Sequence, residues 1–132
     1  MPKKKNLEAD VKKMVQDVFD KHGWWWYMPA STMYGKVGIS DFHALKNRLF
    51  MAVETKRGTK KPEPTANQIA FLQNVRDQGH FAFVVNESRV KHLDAFLESF
   101  EIATQAAQKK EKVPDEHGAQ MLNCLREMQQ EI

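Results

Sequence analysis

Leu49, Phe50, Met51, Ala52 and Val53 form an unbroken apolar run that ends abruptly in Glu54-Thr55-Lys56. Five consecutive apolar residues suit a strand buried on both faces, which implies a sheet with helices packed on either side. Charged residues that close such a run need compensation, because burying an unpartnered charge is costly. Strand alternation sends Glu54 and Lys56 to one face and Thr55 to the other.

The preceding segment supplies a partner. Ile39–Leu45 and Leu49–Lys56 flank Lys46-Asn47-Arg48, and asparagine tolerates the left-handed backbone of a tight turn, so an antiparallel hairpin is expected. The hairpin brings Asp41 beside Glu54 and Lys56. Two neighbouring carboxylates repel, and a divalent cation is a common means of keeping both ionised. Hard oxygen donors suit Mg²⁺ or Mn²⁺ rather than zinc, with the backbone carbonyl of Thr55 as a further ligand. Lys56 then lies where an attacking water and a phosphate oxygen would meet, the arrangement needed for metal-assisted phosphodiester hydrolysis.

The rest of the chain frames this hairpin. Leu7, Val11, Met14, Val15, Val18 and Phe19 recur at helical spacing and predict a helix over 7–21, ended by Gly23. Trp24, Trp25, Trp26 and Tyr27 are β-prone. Alternation puts Trp24 and Trp26 on one side and Trp25 and Tyr27 on the other, so one pair serves the core. The other pair is left to line a dimer contact or to stack on unpaired bases. Thr65-Ala66-Asn67-Gln68 is a capping box opening a helix that Gly79 closes. Phe81–Val85 is a second buried strand, joined to Val53 by a parallel crossover. A long helix is expected from Ser88, as N-cap, to about Gln108, then a linker over 109–118 and a short amphipathic helix over Ala119–Gln130. The expected division is a core over 1–108, including a basic N-terminal tail and the long closing helix, and a linker with a helical arm over 109–132.

At 132 residues, 42% hydrophobic and 28% charged, the chain has the composition of one globular domain. It holds neither an apolar stretch long enough for a bilayer nor an apolar run behind the basic start that would make a signal peptide. One cysteine, Cys124, excludes an internal disulfide framework and is expected to be an inert buried thiol. A cytoplasmic protein follows as the expectation, in a host cytoplasm if the gene is a phage's. The five histidines lack ligand spacing, which argues against zinc; His43 alternates with Asp41 and so points toward the same site. No glycine-rich phosphate loop and no serine or cysteine nucleophile motif is present. The net charge of +3 hides an asymmetry: residues 1–61 carry 13 basic and 6 acidic groups, residues 62–132 carry 7 and 11. A basic half points to a polyanionic partner.

Gly38-Ile39-Ser40-Asp41, Glu54-Thr55-Lys56 after a spacer of twelve residues, Gly58, and Gln68 at a helix start together resemble the PD-(D/E)XK nuclease superfamily. The spacing is most similar to the VRR-NUC branch, and the resemblance covers residues 7–87. Ser40 stands where the family often has proline. The resemblance implies an α/β, restriction-endonuclease-like core: a mixed, mostly antiparallel sheet of about four strands flanked by helices, with extra C-terminal helices.

It further implies a metal-dependent DNA endonuclease with Asp41 and Glu54 as ligands, Lys56 as catalytic lysine and Gln68 as an active-site glutamine. Gln68 taken alone is better read as the capping-box partner of Thr65, and the two roles can coexist. The family's first-helix glutamate falls on Glu8, with Asp10, Asp17 and Asp20 as competitors. Beside such a site Lys3, Lys4, Lys5, Lys36, Arg57, Lys60 and Lys61 are expected to touch DNA phosphates without reading sequence. Stand-alone members imply a homodimer cutting Holliday junctions or other branched DNA, with the apolar stripes of the last two helices as its interface. The competing readings are a non-catalytic nucleic-acid-binding protein and a flap or single-strand nuclease using the same site.

Overall fold

Asn47 and Arg48 both take positive φ, 52° and 68°, in the computed structural model, which describes residues 8–30, 37–108 and 115–129. This two-residue turn joins β2 (Phe42–Lys46) to β3 (Leu49–Thr55), with Lys46 paired to Leu49 and Phe42 to Val53. Consecutive left-handed residues give a turn whose twist matches that of the strands it connects. The hairpin is therefore the expected one, although its first strand begins at Phe42 rather than Ile39. Ser40 donates instead to the Phe42 carbonyl at 3.1 Å, and Asp41 sits in a bend just outside the ladder.

The sheet has the order β1-β2-β3-β4, where β1 is Trp25–Tyr27 and β4 is Phe81–Val85. The first two pairings are antiparallel and β3–β4 is parallel, connected through α2 (Ala66–Asp77). One face packs on α1 (Glu8–Lys21), α3 (Val90–Gln108) and α4 (Asp115–Gln129) around Phe19, Phe42, Met51, Phe83 and Phe96. The other face carries a smaller cluster, Ala52, Leu72, Ala82 and Val84, under α2. Met51, Ala52 and Val53 are fully buried, so the central strand is covered on both sides as its composition requires.

The tryptophan run alternates as expected. Trp24 is buried and Trp26 packs against the core, whereas Trp25 is 66% exposed. Thr65 and Gln68 form the capping box of α2, and Gly79 follows its end.

Three expectations need correction. Ser88 is not the N-cap of the long helix, which starts at Val90; its hydroxyl donates to Asn86 Oδ1 (2.9 Å) and to the Thr59 carbonyl (3.3 Å). The last helix begins at Asp115 rather than at Ala119 and takes in Gly118, while 109–114 lie outside the described residues. The apolar stripes of α3 and α4 face each other rather than solvent, and Cys124 and Met128 join the main core. They are therefore not a ready dimer surface. Among the described residues no helix is long and apolar enough to cross a membrane.

Candidate active site

The parallel β3–α2–β4 unit directs the C-terminal ends of β3 and β4 and the N-terminus of α2 to one side of the molecule. Asp41, at the start of the hairpin, and Glu54, near the end of β3, meet there. The Asp41 amide donates to Glu54 Oε2 at 3.1 Å. Asp41 Oδ2 accepts from the Thr55 amide at 2.9 Å and from the Thr55 hydroxyl at 2.7 Å. Alternation alone would have turned the Thr55 side chain away. It reaches Asp41 because that residue lies outside the ladder, at the end of the strands.

Gln68 donates from Nε2 to Glu54 Oε1 at 2.8 Å while its own Oε1 accepts from the Thr65 amide at 2.9 Å. Cap and site roles thus coexist in one side chain, because a glutamine amide both donates and accepts. Lys56 Nζ lies 3.7 Å from Glu54 Oε1. Glu8, in the first turn of α1, completes the group: carboxylate oxygens of Glu8, Asp41 and Glu54 all lie within 4.8 Å of one another. Of the four acids that competed for this place in the sequence, Glu8 is the one in that cluster.

The electrostatics are strained. Glu54 is 2% exposed, and its carboxyl is pushed up to about 8, first by burial and then by the Asp41 charge, with Lys56 pulling the other way. Three converging carboxylates, one of them buried, form a donor set of hard oxygens that fits a divalent cation such as Mg²⁺ or Mn²⁺. A cation there would also remove the penalty of ionising Glu54.

No protein-family profile and no curated protein matches this sequence. Among solved structures, one described as a VRR_NUC domain matches with a TM-score of 0.53 and 26% sequence identity, covering 65% of this chain and 91% of that one. In fold the chain is thus similar to a VRR-NUC nuclease domain, the family that its sequence motifs resemble. Its mixed sheet of four strands flanked by helices is the restriction-endonuclease-like fold that the sequence motifs imply.

Some features of this site were not legible in the sequence. Lys12 Nζ stands 3.8 Å from Asp41 Oδ1. Its place one turn after Glu8 on the same helix was the available signal. His43 belongs to an aromatic cluster instead of the carboxylate group: its Nδ1 is 3.0 Å from the Tyr27 hydroxyl and its ring stacks on Phe71. Burial pushes its imidazole down, so it stays neutral around pH 7.

Of the basic residues, Arg57, Lys60 and Lys61 line a cavity of about 1050 Å³ together with Glu8 and Lys56. Lys3, Lys4, Lys5 and Lys36 lie outside the described residues.

Proposed function

We propose that this nuclease domain is a divalent-metal-dependent endodeoxyribonuclease acting on branched DNA, with Holliday junctions the foremost candidate. The observation that carries it is the convergence of Glu8, Asp41 and Glu54 beside Lys56 and Gln68, at the mouth of a cavity lined with basic residues. Glu8, Asp41, Glu54 and the Thr55 carbonyl would hold Mg²⁺ or Mn²⁺, which supplies Lewis acidity toward the phosphodiester and lowers the pKa of a nearby water.

The chain's own groups do the rest. Thr55 fixes Asp41 Oδ2 with two hydrogen bonds, and Gln68 fixes Glu54 Oε1, so both carboxylates are oriented before substrate arrives. The Lys56 ammonium, 24% exposed at the cavity wall, offsets the charge that builds on the phosphate oxygens during attack. Arg57, Lys60 and Lys61 hold flanking phosphates.

Contacts from Arg57, Lys60 and Lys61 to the backbone read the shape of DNA rather than its sequence, which supports a branched substrate. Symmetric resolution of a four-way junction needs two active sites and therefore two copies of the chain. The exposed Trp25 and Tyr27 on edge strand β1, Met28 just after it and Leu45 beside them on β2 offer the apolar surface for that pairing.

The test is cleavage of four-way junction, flap, single-stranded and linear duplex DNA in Mg²⁺ and in EDTA. Junction cutting in Mg²⁺ alone is expected. Preferential cutting of the flap or single strand replaces the substrate assignment, and retained binding with no cutting of any substrate replaces the enzymatic one.

A further inference from the structure

The loop that carries Arg57, Lys60 and Lys61 has a second side. Behind it lies a smaller cavity of about 320 Å³, whose walls include Lys60, Lys61, Arg89, Lys91 and His92, with Glu127 as its one acidic residue. The two cavities share Thr59, Lys60 and Lys61, so the loop forms the ridge between them.

This ridge is fixed to the β4–α3 turn by three consecutive residues. Asn86, fully buried, donates from Nδ2 to the Lys60 carbonyl at 2.7 Å, and the Ser88 hydroxyl donates to the Thr59 carbonyl. Glu87 Oε1 accepts from the Gly58 amide at 3.3 Å. Arg89, the next residue, donates from Nη1 to the Val84 carbonyl at 3.5 Å. The backbone of the ridge and the Arg89 side chain are thus set by the fold, which brings the lysine stems to one concavity. Four cationic side chains around one concavity repel one another, and an anion in it relieves that repulsion.

We propose that this second cavity is a phosphate-binding subsite that holds the DNA backbone beyond the ridge, away from the scissile bond. The proposal rests on the nuclease reading for the identity of its ligand, because one backbone passing over Lys60 and Lys61 would occupy both cavities. It assigns Lys91 and His92, on the first turn of α3, a role in substrate binding without any part in bond cleavage.

Lys91 is exposed, so Lys91→Gln leaves the fold intact. Arg48→Asn removes the same charge at the hairpin turn, the end of the sheet remote from Asp41 and Glu54, and serves as the control. Binding of a labelled four-way junction is followed by fluorescence anisotropy in EDTA across a salt series, with cleavage of the same DNA in Mg²⁺ measured alongside. Lys91→Gln is expected to weaken binding about three- to tenfold and to lower the salt slope by about 1, while Arg48→Asn stays within about twofold.

Equal binding by Lys91→Gln and the unchanged chain overturns the subsite, as does an equal loss in Arg48→Asn, which would signify net charge alone. If the unchanged chain binds but never cuts, the nuclease reading fails and the binding comparison still decides the subsite. If it cuts and Lys91 is indifferent, only the subsite fails.

Discussion

Glu54 is held at the end of an apolar strand, 2% exposed, with Asp41 hydrogen-bonded to it and Glu8 in the same cluster of carboxylates. Its carboxyl sits near 8 in the folded chain against an ordinary value of 4.5. A group with a raised folded pKa favours folding below its unfolded pKa, and that contribution is lost as pH rises through the folded value. Without metal, stability should therefore fall between about pH 4.5 and about pH 8 and level off above. Glu54→Gln keeps the neutral form at every pH, so its melting temperature in EDTA should gain on the unchanged chain from pH 5 to pH 8.5; a constant difference would refute the buried-acid assignment. The same residue predicts the activity. Asp41→Ala, Glu54→Ala and Lys56→Ala should each lower junction cleavage by at least about 10²-fold, the scale on which removing one transition-state contact is felt. Single-turnover assays in Mg²⁺ check this, and three variants that cut normally would remove the site from consideration.

Elements bring these groups together through backbone fit as much as through side chains. Gly38 has φ +76°, and a Cβ there would lie 2.4 Å from the Asn67 carbonyl carbon and oxygen and 2.7 Å from the Gln68 amide nitrogen. The segment entering Asp41 thus passes directly over the first turn of α2, and a side chain at position 38 would push Gln68 and Asp41 apart. Gly38→Ala should cost about 1–3 kcal/mol through backbone conformation alone, more if the helix must move, as measured by urea unfolding. A stability unchanged within 0.5 kcal/mol, about the scatter of neutral surface changes, would count against this close approach. What the sequence could reveal follows the same division. The Asn47 turn, the Thr65–Gln68 cap, the run Met51–Val53 and the parallel crossover were legible because each depends on neighbours or on simple periodicity. The Lys12–Asp41 pair, the reach of Thr55 to Asp41 and the withdrawal of His43 into the Tyr27–Phe71 cluster were not, because they depend on the packing of distant segments. Ser88 misled for a related reason: a hydroxyl before a helix usually caps it, but here the 57–61 loop offers a carbonyl to it instead.

At the scale of the whole molecule, the basic first half of the chain supplies both the carboxylate cluster and the 57–61 ridge, and the acidic second half supplies most of the support. That support includes α4. An amphipathic helix at the end of a chain reads from its sequence as readily as a detachable arm as it does as a core helix, since the stripe is the same in both cases. The structure distinguishes them by which residues the stripe buries: Met128 is fully buried and Cys124 nearly so, against Val85, Phe96 and the other residues of the main core, while Leu122 on the same helix is 63% exposed. The two positions therefore predict opposite outcomes from similar changes. Met128→Ala opens a cavity under α3 and should destabilise the chain by about 2–5 kcal/mol, whereas Leu122→Ala should stay within about 0.5 kcal/mol. Urea unfolding of both variants checks it, and a mild effect at Met128 would mean that α4 docks loosely. Because the turn that pins the ridge leads into α3, loosening α4 should also weaken DNA binding in Met128→Ala, leaving Leu122→Ala unaffected in the same assay. Stability and binding are linked in this way only if the closing helices hold the substrate surface in place as well as covering the core.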